Sequence, residues 1–132
     1  MVERRLAFAP EVAWAKFQKN LPVYDPIREA AVLSGIEEKS TRDFFAAQMQ
    51  ASRRIQAKLI TDWENGSPLP GHPALDLKNQ IRPSIDSIDQ AQRSAIARGA
   101  KPPAQTRIDQ LTAELLEPVG KTTARIWSLE SR

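Results

Sequence analysis

Two cations stand among apolar residues near the N-terminus of the chain. Arg5 and Lys16 are separated by about three full helical turns, so they share one face of a helix with Ala9 and Val12 between them. An anionic ligand bound to that face would explain the pattern. An ordinary amphipathic helix, whose long cationic side chains reach past apolar surface to water, also explains it, and for this stretch alone it is the more common case.

A polar pair interrupts a second apolar surface. On a helical wheel, Phe45, Met49 and Trp63 form one stripe, and Ser52 and Gln56 lie in its middle. Polar groups in the centre of a buried face must be hydrogen-bonded. The two side chains bond either to each other or a neighbouring helix, or to a ligand, and the pattern does not decide between these interpretations.

Several kinds of catalysis are excluded or disfavoured. The sequence contains no glycine-rich phosphate loop, no HExxH motif and no nucleophile elbow. It has no cysteine, and its one histidine, His72, lies in a Pro/Gly loop, so a thiol nucleophile, a Cys–zinc site or a Ser-His-Asp triad has no basis. We expect no metal and no cofactor. Inward-pointing cations and amides suit a reaction that needs only positioning and charge stabilisation.

Composition is that of one ordinary folded domain over residues 1–132. Hydrophobic residues make up 41% and charged residues 27%, and the net charge of +3 favours anionic partners without separating nucleic acid from small acids. No apolar run reaches the length of a membrane span, and no signal peptide is visible.

The elements that must position these residues are predicted to be helices throughout. Helical periodicity or helix-start signals mark five segments: 1–20, 26–38, 40–64, 74–98 and a last helix from Thr106. Strand-like alternation is absent. The sequence therefore predicts an all-α bundle of four to five helices.

Prolines and capping residues refine these boundaries. Pro10, Pro83 and Pro118 each fall inside a helical pattern and predict a kink or a new start there. Asp25 followed by Pro26 is a strong N-terminal signal. Capping residues are also predicted at three further positions: Ser40 and Thr106 at helix starts, and Gly99 after a helix end.

The order and spacing of these residues resemble the all-helical (AroQ-type) chorismate mutases. Arg5 and Lys16 are followed by DPIRE (25–29), FFAAQMQASRRIQ (44–56) and IRPSID (81–86). The last two runs resemble the exported (gamma) subclass in particular. The resemblance covers residues 2–90.

The resemblance implies the pericyclic conversion of chorismate to prephenate, a step of aromatic amino acid biosynthesis in the shikimate pathway. Such an enzyme restricts the conformation of its substrate and stabilises negative charge on the ether oxygen, without a covalent intermediate. Carried over by position, Lys16 and Gln56 match the two donors to that oxygen.

The other matched residues are implied to bind the substrate. Arg5, Arg28 and Arg82 correspond to the arginines around the carboxylates, as suits the planar guanidinium fork. Ser52 corresponds to a hydroxyl beside a carboxylate, Glu29 to the acceptor for the ring hydroxyl, and Asp25 to a supporting residue beside Arg28. The segment between Arg28 and Ser52 is shorter than we expect for the family by about two and a half helical turns, so the connection near residues 35–40 must be trimmed.

Two other functions remain open at this point. One is an isochorismate-pyruvate lyase of similar fold and pericyclic chemistry. The other is a non-catalytic helical binding module that uses Arg53, Arg54 and Lys58, expected to be exposed, on an acidic partner. The family resemblance implies instead a homodimer with no nucleic-acid or membrane partner. It also implies a location in the periplasm or outside the cell, with the cytoplasm as the alternative.

Overall fold

A computed structural model of the chain describes residues 1–116, and all of its regular structure is helical. The elements are α1 (Val2–Ala7), α2 (Ala9–Lys19), α3 (Pro26–Leu33), α4 (Lys39–Glu64), a π-helical turn (Leu77–Ile81), α5 (Arg82–Ala97) and α6 (Gln105–Leu115). Because α1 runs into α2 and the π-turn runs into α5, the described part consists of five helical units. The all-α prediction is confirmed. The predicted kink at Pro118 lies outside the described residues.

Two prolines begin helices. Phe8 keeps helical dihedral angles between α1 and α2, and Pro10 lies in the first turn of α2. Pro83 lies in the first turn of α5, directly after the π-turn. Proline is tolerated there because the first amide groups of a helix have no intrahelical acceptor. Of the two outcomes predicted at each proline, a kink or a new start, the structure has a new start at both.

The third helix begins as predicted and ends early. The Asp25 carboxylate accepts a hydrogen bond of 3.0 Å from the Arg28 amide, which is the predicted cap. The helix stops at Leu33, so the predicted extension to residue 38 is wrong. Gly35 disfavours further helix, and Ile36 leaves the helical path to pack in the core.

Three other predicted starts are wrong by one to three residues. Helix α4 begins at Lys39 with Glu38 at the N-cap, and the Ser40 hydroxyl bonds the Glu38 side chain in place of a backbone amide. Helix α6 begins before Thr106, which lies inside its first turn. The segment predicted to start at residue 74 becomes helical only after Asp76, whose carboxylate accepts from the next turn. Gly99 has a positive φ of 100°, as the predicted helix end requires.

Helix α4 forms the centre of the fold. It packs against α1, α2, α3 and α6, and its buried residues include Phe44, Phe45, Ile55 and Leu59. At its C-terminal end Trp63 meets the aromatic rings of α2. None of the described helices is both long and apolar enough to cross a membrane. The apolar packing holds one face of α4 rigidly toward the charged residues of the other helices.

Candidate active site

All eight residues singled out in the sequence line one cleft. The cleft is open to solvent, and α1 to α5, the loop before α3 and the π-helical turn contribute to its wall. The predicted residues on the wall are Arg5, Lys16, Asp25, Arg28, Glu29, Ser52, Gln56 and Arg82. This inward convergence argues against a binding module that presents its cations to an external partner.

A chain of hydrogen bonds crosses the floor of the cleft. The Lys16 ammonium donates to the Val23 carbonyl at 2.6 Å and to Oε1 of Gln56 at 3.1 Å. The Gln56 amide donates to the Ser52 hydroxyl at 2.9 Å. Lys16 is 7% exposed and Gln56 is 5% exposed. Each of these two groups retains an N–H beyond those used here, because an ammonium has three and a primary amide two.

Burial weakens the proton affinity of the lysine. The pKa of Lys16 lies below its ordinary value of 10.5, first because the ammonium is desolvated and also because Arg82 is nearby. Asp25 and Glu29 act in the opposite direction and favour the charged form. The cleft therefore holds a partly desolvated ammonium, which interacts more strongly with an anion than a hydrated one does.

Helix α5 presents a row of charged groups to the cleft elements. Asp89 makes a buried ion pair with Arg5, with contacts of 2.6 and 3.3 Å, and Asp86 contacts Arg28 at 2.5 Å. Arg82, Asp86 and Asp89 lie at positions i, i+4 and i+7, so they share one face of α5. Helix α5 therefore contacts both α1 and α3 through this face. Its two carboxylates fix the orientation of Arg5 and Arg28 in the cleft.

Asp25 has two contacts. One carboxylate oxygen caps α3 by accepting from the Arg28 amide, and the other lies 3.2 Å from Nη2 of Arg82. Asp25 was expected beside Arg28, and the structure places it there through the backbone amide. Its second contact ties Arg82 to the start of α3.

The sequence interpretation missed Arg53. This residue was expected to be exposed, but its side chain is only 30% exposed, lines the cleft and contacts both oxygens of Glu29 at 2.8 and 3.0 Å. On a helical wheel with Phe45 placed at zero, Arg53 lies at about 80°, on the flank of the stripe that contains Gln56. This position beside the apolar stripe was the sequence signal that could have indicated that Arg53 is partly buried. The neighbouring Arg54 is exposed, as expected.

The contacts of these groups indicate an anion-binding site rather than a metal site. Within residues 1–116, no group of three His, Cys, Asp or Glu side chains is placed to hold a metal ion. The arginines contact protein carboxylates, and Lys16 and Gln56 are hydrogen-bonded to each other in the wall of the cleft. Such an arrangement can bind a small dicarboxylate and stabilise negative charge that develops on it.

Comparisons with known proteins agree with this description. No protein-family model matches the chain. A secreted chorismate mutase from Yersinia pestis is 27% identical over 97 residues, which are 67% of this chain and 51% of that protein. The chain thus spans about half the length of that relative. The crystal structure of chorismate mutase from Burkholderia thailandensis superposes with a TM-score of 0.67 and 32% identity, over 83% of this chain and 77% of the other.

Proposed function

Because the chain belongs to the family of all-helical (AroQ-type) chorismate mutases, we propose that it converts chorismate to prephenate. In this rearrangement the ether C–O bond breaks while a C–C bond forms within the same molecule. The enzyme contributes no nucleophile and no proton. The observation that carries the proposal is the convergence of the Lys16 and Gln56 donors with three arginines in one cleft.

The arginines hold the two carboxylates of the substrate. Arg5, Arg28 and Arg82 each contact a protein carboxylate through one or two N–H groups. A guanidinium has five N–H donors, so each retains several for a substrate carboxylate. The protein carboxylates then fix the direction of each fork, and the substrate is held in the compact conformation that the reaction requires.

Lys16 and Gln56 donate to the ether oxygen as the C–O bond breaks. Negative charge on that oxygen is larger in the transition state than in the bound substrate. Donors directed at it therefore lower the barrier more than they strengthen binding. Ser52 accepts from the Gln56 amide and fixes its rotation, which orients the second amide N–H. Glu29 accepts the ring hydroxyl of the substrate.

Direct assay of purified protein tests the proposal. Chorismate is supplied, loss of the diene absorbance is followed, and the product is identified as prephenate. Lys16→Ala should lower kcat by about a thousandfold with a smaller change in KM, since it removes a transition-state donor. Lys58→Ala is the matched control, because Lys58 lies on the exposed side of α4 and pairs with Asp62. It should leave kcat unchanged.

A parallel assay with isochorismate separates the two pericyclic reactions. Release of pyruvate with little prephenate formation from chorismate would replace the proposed function by the lyase. Loss of activity in both lysine variants alike would show that the effect of Lys16→Ala is not specific to the cleft.

We also propose that the protein is an exported homodimer. The support is the resemblance of residues 44–56 and 81–86 to the exported subclass, together with the similarity to a protein named as secreted. Sedimentation equilibrium of the purified protein tests the dimer, and fractionation of cells that express the native gene tests export. A monomer at micromolar concentration, or recovery only from the cytoplasm, would contradict the corresponding part.

A further inference from the structure

We propose that Arg53 is a positioning residue that holds Glu29 in the orientation that accepts the substrate's hydroxyl and keeps it away from Lys16. The inference rests on the proposed function and adds a residue to it. In this proposal Arg53 affects the reaction through its contact with Glu29, and Glu29 contacts the substrate.

The contacts of Arg53 join three parts of the cleft wall. Nη1 of this α4 residue lies 2.8 and 3.0 Å from the two oxygens of Glu29 on α3. The guanidinium also lies over the ring of Tyr24, at 4.8 Å from the ring centre, in the loop between α2 and α3. A cation between an aromatic face and a carboxylate has little freedom to move. The pair thus fixes the position of α3 relative to α4 at the cleft.

Burial distinguishes this pair from an ordinary surface ion pair. The Glu29 side chain is 20% exposed and that of Arg53 is 30% exposed, whereas the Lys39–Asp43 pair on the same helix as Arg53 is more than half exposed at both ends. Exposed pairs contribute little to stability and orientation. The partly desolvated pair between helices restricts where the Glu29 carboxylate can lie.

Glu29 needs such a restraint because Lys16 is within its electrostatic reach. The charge of Glu29 raises the pKa of Lys16, against the larger effect of desolvation. A Glu29 carboxylate released from Arg53 would be attracted to the ammonium and would occupy donors that the ether oxygen requires. In the observed arrangement both carboxylate oxygens contact Arg53, and their remaining lone pairs are available to a hydroxyl donor.

Substitution of two adjacent arginines tests the role of Arg53. Arg53→Met retains most of the apolar stem and removes the fork, and Arg53→Lys retains the charge. Arg54→Met is the matched control on the exposed side of α4. We expect Arg53→Met to lower kcat/KM by about tenfold to thirtyfold, Arg53→Lys to restore part of the loss, and Arg54→Met to stay within about twofold.

The pH profile supplies a readout that a purely structural role would not move. With Arg53→Met, the carboxylate of Glu29 is no longer neutralised, so Lys16 should retain its proton to higher pH and the alkaline limb of kcat should shift upward. In a Glu29→Gln background, Arg53→Met should cost no more than about twofold further, because its partner is already absent. Losses that multiply in the double variant, or an unmoved alkaline limb, would overturn the inference.

Thermal unfolding of the wild type, Arg53→Met, Glu29→Gln and the double variant separates failure of the inference from failure of the proposed function. The decreases in Tm caused by Arg53→Met and Glu29→Gln should not add, since both remove one pair. Additive decreases in a protein that makes prephenate would overturn the role of Arg53 and leave the proposed function intact. A wild-type protein that makes no prephenate would overturn both, whatever the Tm values.

Discussion

Helix α4 carries two buried glutamines on one face, and they have opposite surroundings. Gln48 is fully buried and exchanges two hydrogen bonds of 2.8 and 3.1 Å with the amide of Gln92 on α5. Gln56, two turns further along, accepts from Lys16 and donates to Ser52 at the floor of the cleft. The same side chain therefore takes part in a closed pair at one position and in an open chain at the other.

The difference shows when a buried polar group indicates function. In the closed pair each amide satisfies the hydrogen bonds of the other, and the pair connects α4 to α5. A ligand that bound either amide would have to break this pair, and nothing would compensate for the lost hydrogen bonds. In the open chain Lys16 and Gln56 each retain an unused N–H group, and both residues line the cleft. A buried polar group that is satisfied without a ligand is structural, and one with donors directed into a cavity is a candidate for chemistry.

Of the changes to the two glutamines, Gln56→Glu should have the larger effect on activity. At pH 8 the carboxylate would accept from Lys16 but could donate nothing to the ether oxygen, so kcat should fall by about a hundredfold to a thousandfold. Acidification should restore part of the rate, because a protonated carboxyl can donate. The pH dependence of kcat for the wild type and the variant checks this. A variant with a flat profile and near-normal activity would remove Gln56 from the reaction.

Gln48→Glu, the same chemical change in the closed pair, should affect stability instead. It buries a carboxylate without a cation, which should lower the free energy of unfolding at pH 8 by about 3 kcal/mol. Because burial raises the pKa of such a carboxyl, stability should recover partly toward acidic pH. Urea unfolding measures the loss, and kcat per folded molecule should equal that of the wild type. A large decrease in kcat would show that the two glutamines do not have separate roles.

Replacement of both members of the closed pair should be milder than replacement of one. Gln48→Leu alone leaves the Gln92 amide buried without a partner and should cost about 1–3 kcal/mol. Gln48→Leu combined with Gln92→Leu removes both polar groups and should restore most of that loss. Chemical denaturation of the single and double variants completes the cycle. A double variant less stable than the sum of the single variants would indicate that the pair holds α4 and α5 by more than mutual satisfaction.

Local sequence signals predicted most of the fold. Pro10 and Pro83 start helices, Asp25 caps one, and Gly99 ends one, because each acts through dihedral angles or backbone hydrogen bonds of its own segment. The predicted caps at Ser40 and Thr106 were wrong for a related reason. A hydroxyl near a helix start has several acceptors within reach, and sequence alone does not tell which one it takes.

Helical spacing and the family resemblance together predicted which residues line the cleft, but not which of them contact each other. Spacing put Lys16 and Arg5 on one face, and Ser52 and Gln56 in one apolar stripe, and the resemblance implied that both sets bind a substrate. Arg53 was assigned to the exposed side because its position on the wheel, at the edge of the apolar stripe, is buried only when α3 packs beside it. Its contact with Glu29 spans two elements. The direction of such contacts depends on packing that no single-segment pattern contains.

The smallest predicted effect is the pH dependence of stability caused by Lys16, the titrating member of the open chain of hydrogen bonds. The pKa of Lys16 is lower in the folded protein than in the unfolded chain, chiefly through desolvation. Between the folded pKa and 10.5 the unfolded chain binds more protons, so this group makes the free energy of unfolding rise with pH in that window. As pH rises, the stability of the wild type should therefore increase relative to that of Lys16→Met. Over the same range kcat should fall, because the neutral amine lacks the positive charge that stabilises the ether oxygen. The matched control is the double leucine variant of the closed pair, which lacks a titrating group at either position, so its stability difference from wild type should stay flat over the same range. A wild-type advantage over Lys16→Met that shrinks with rising pH would mean that the cleft favours the charged lysine, and that the charges of Asp25 and Glu29 outweigh its burial.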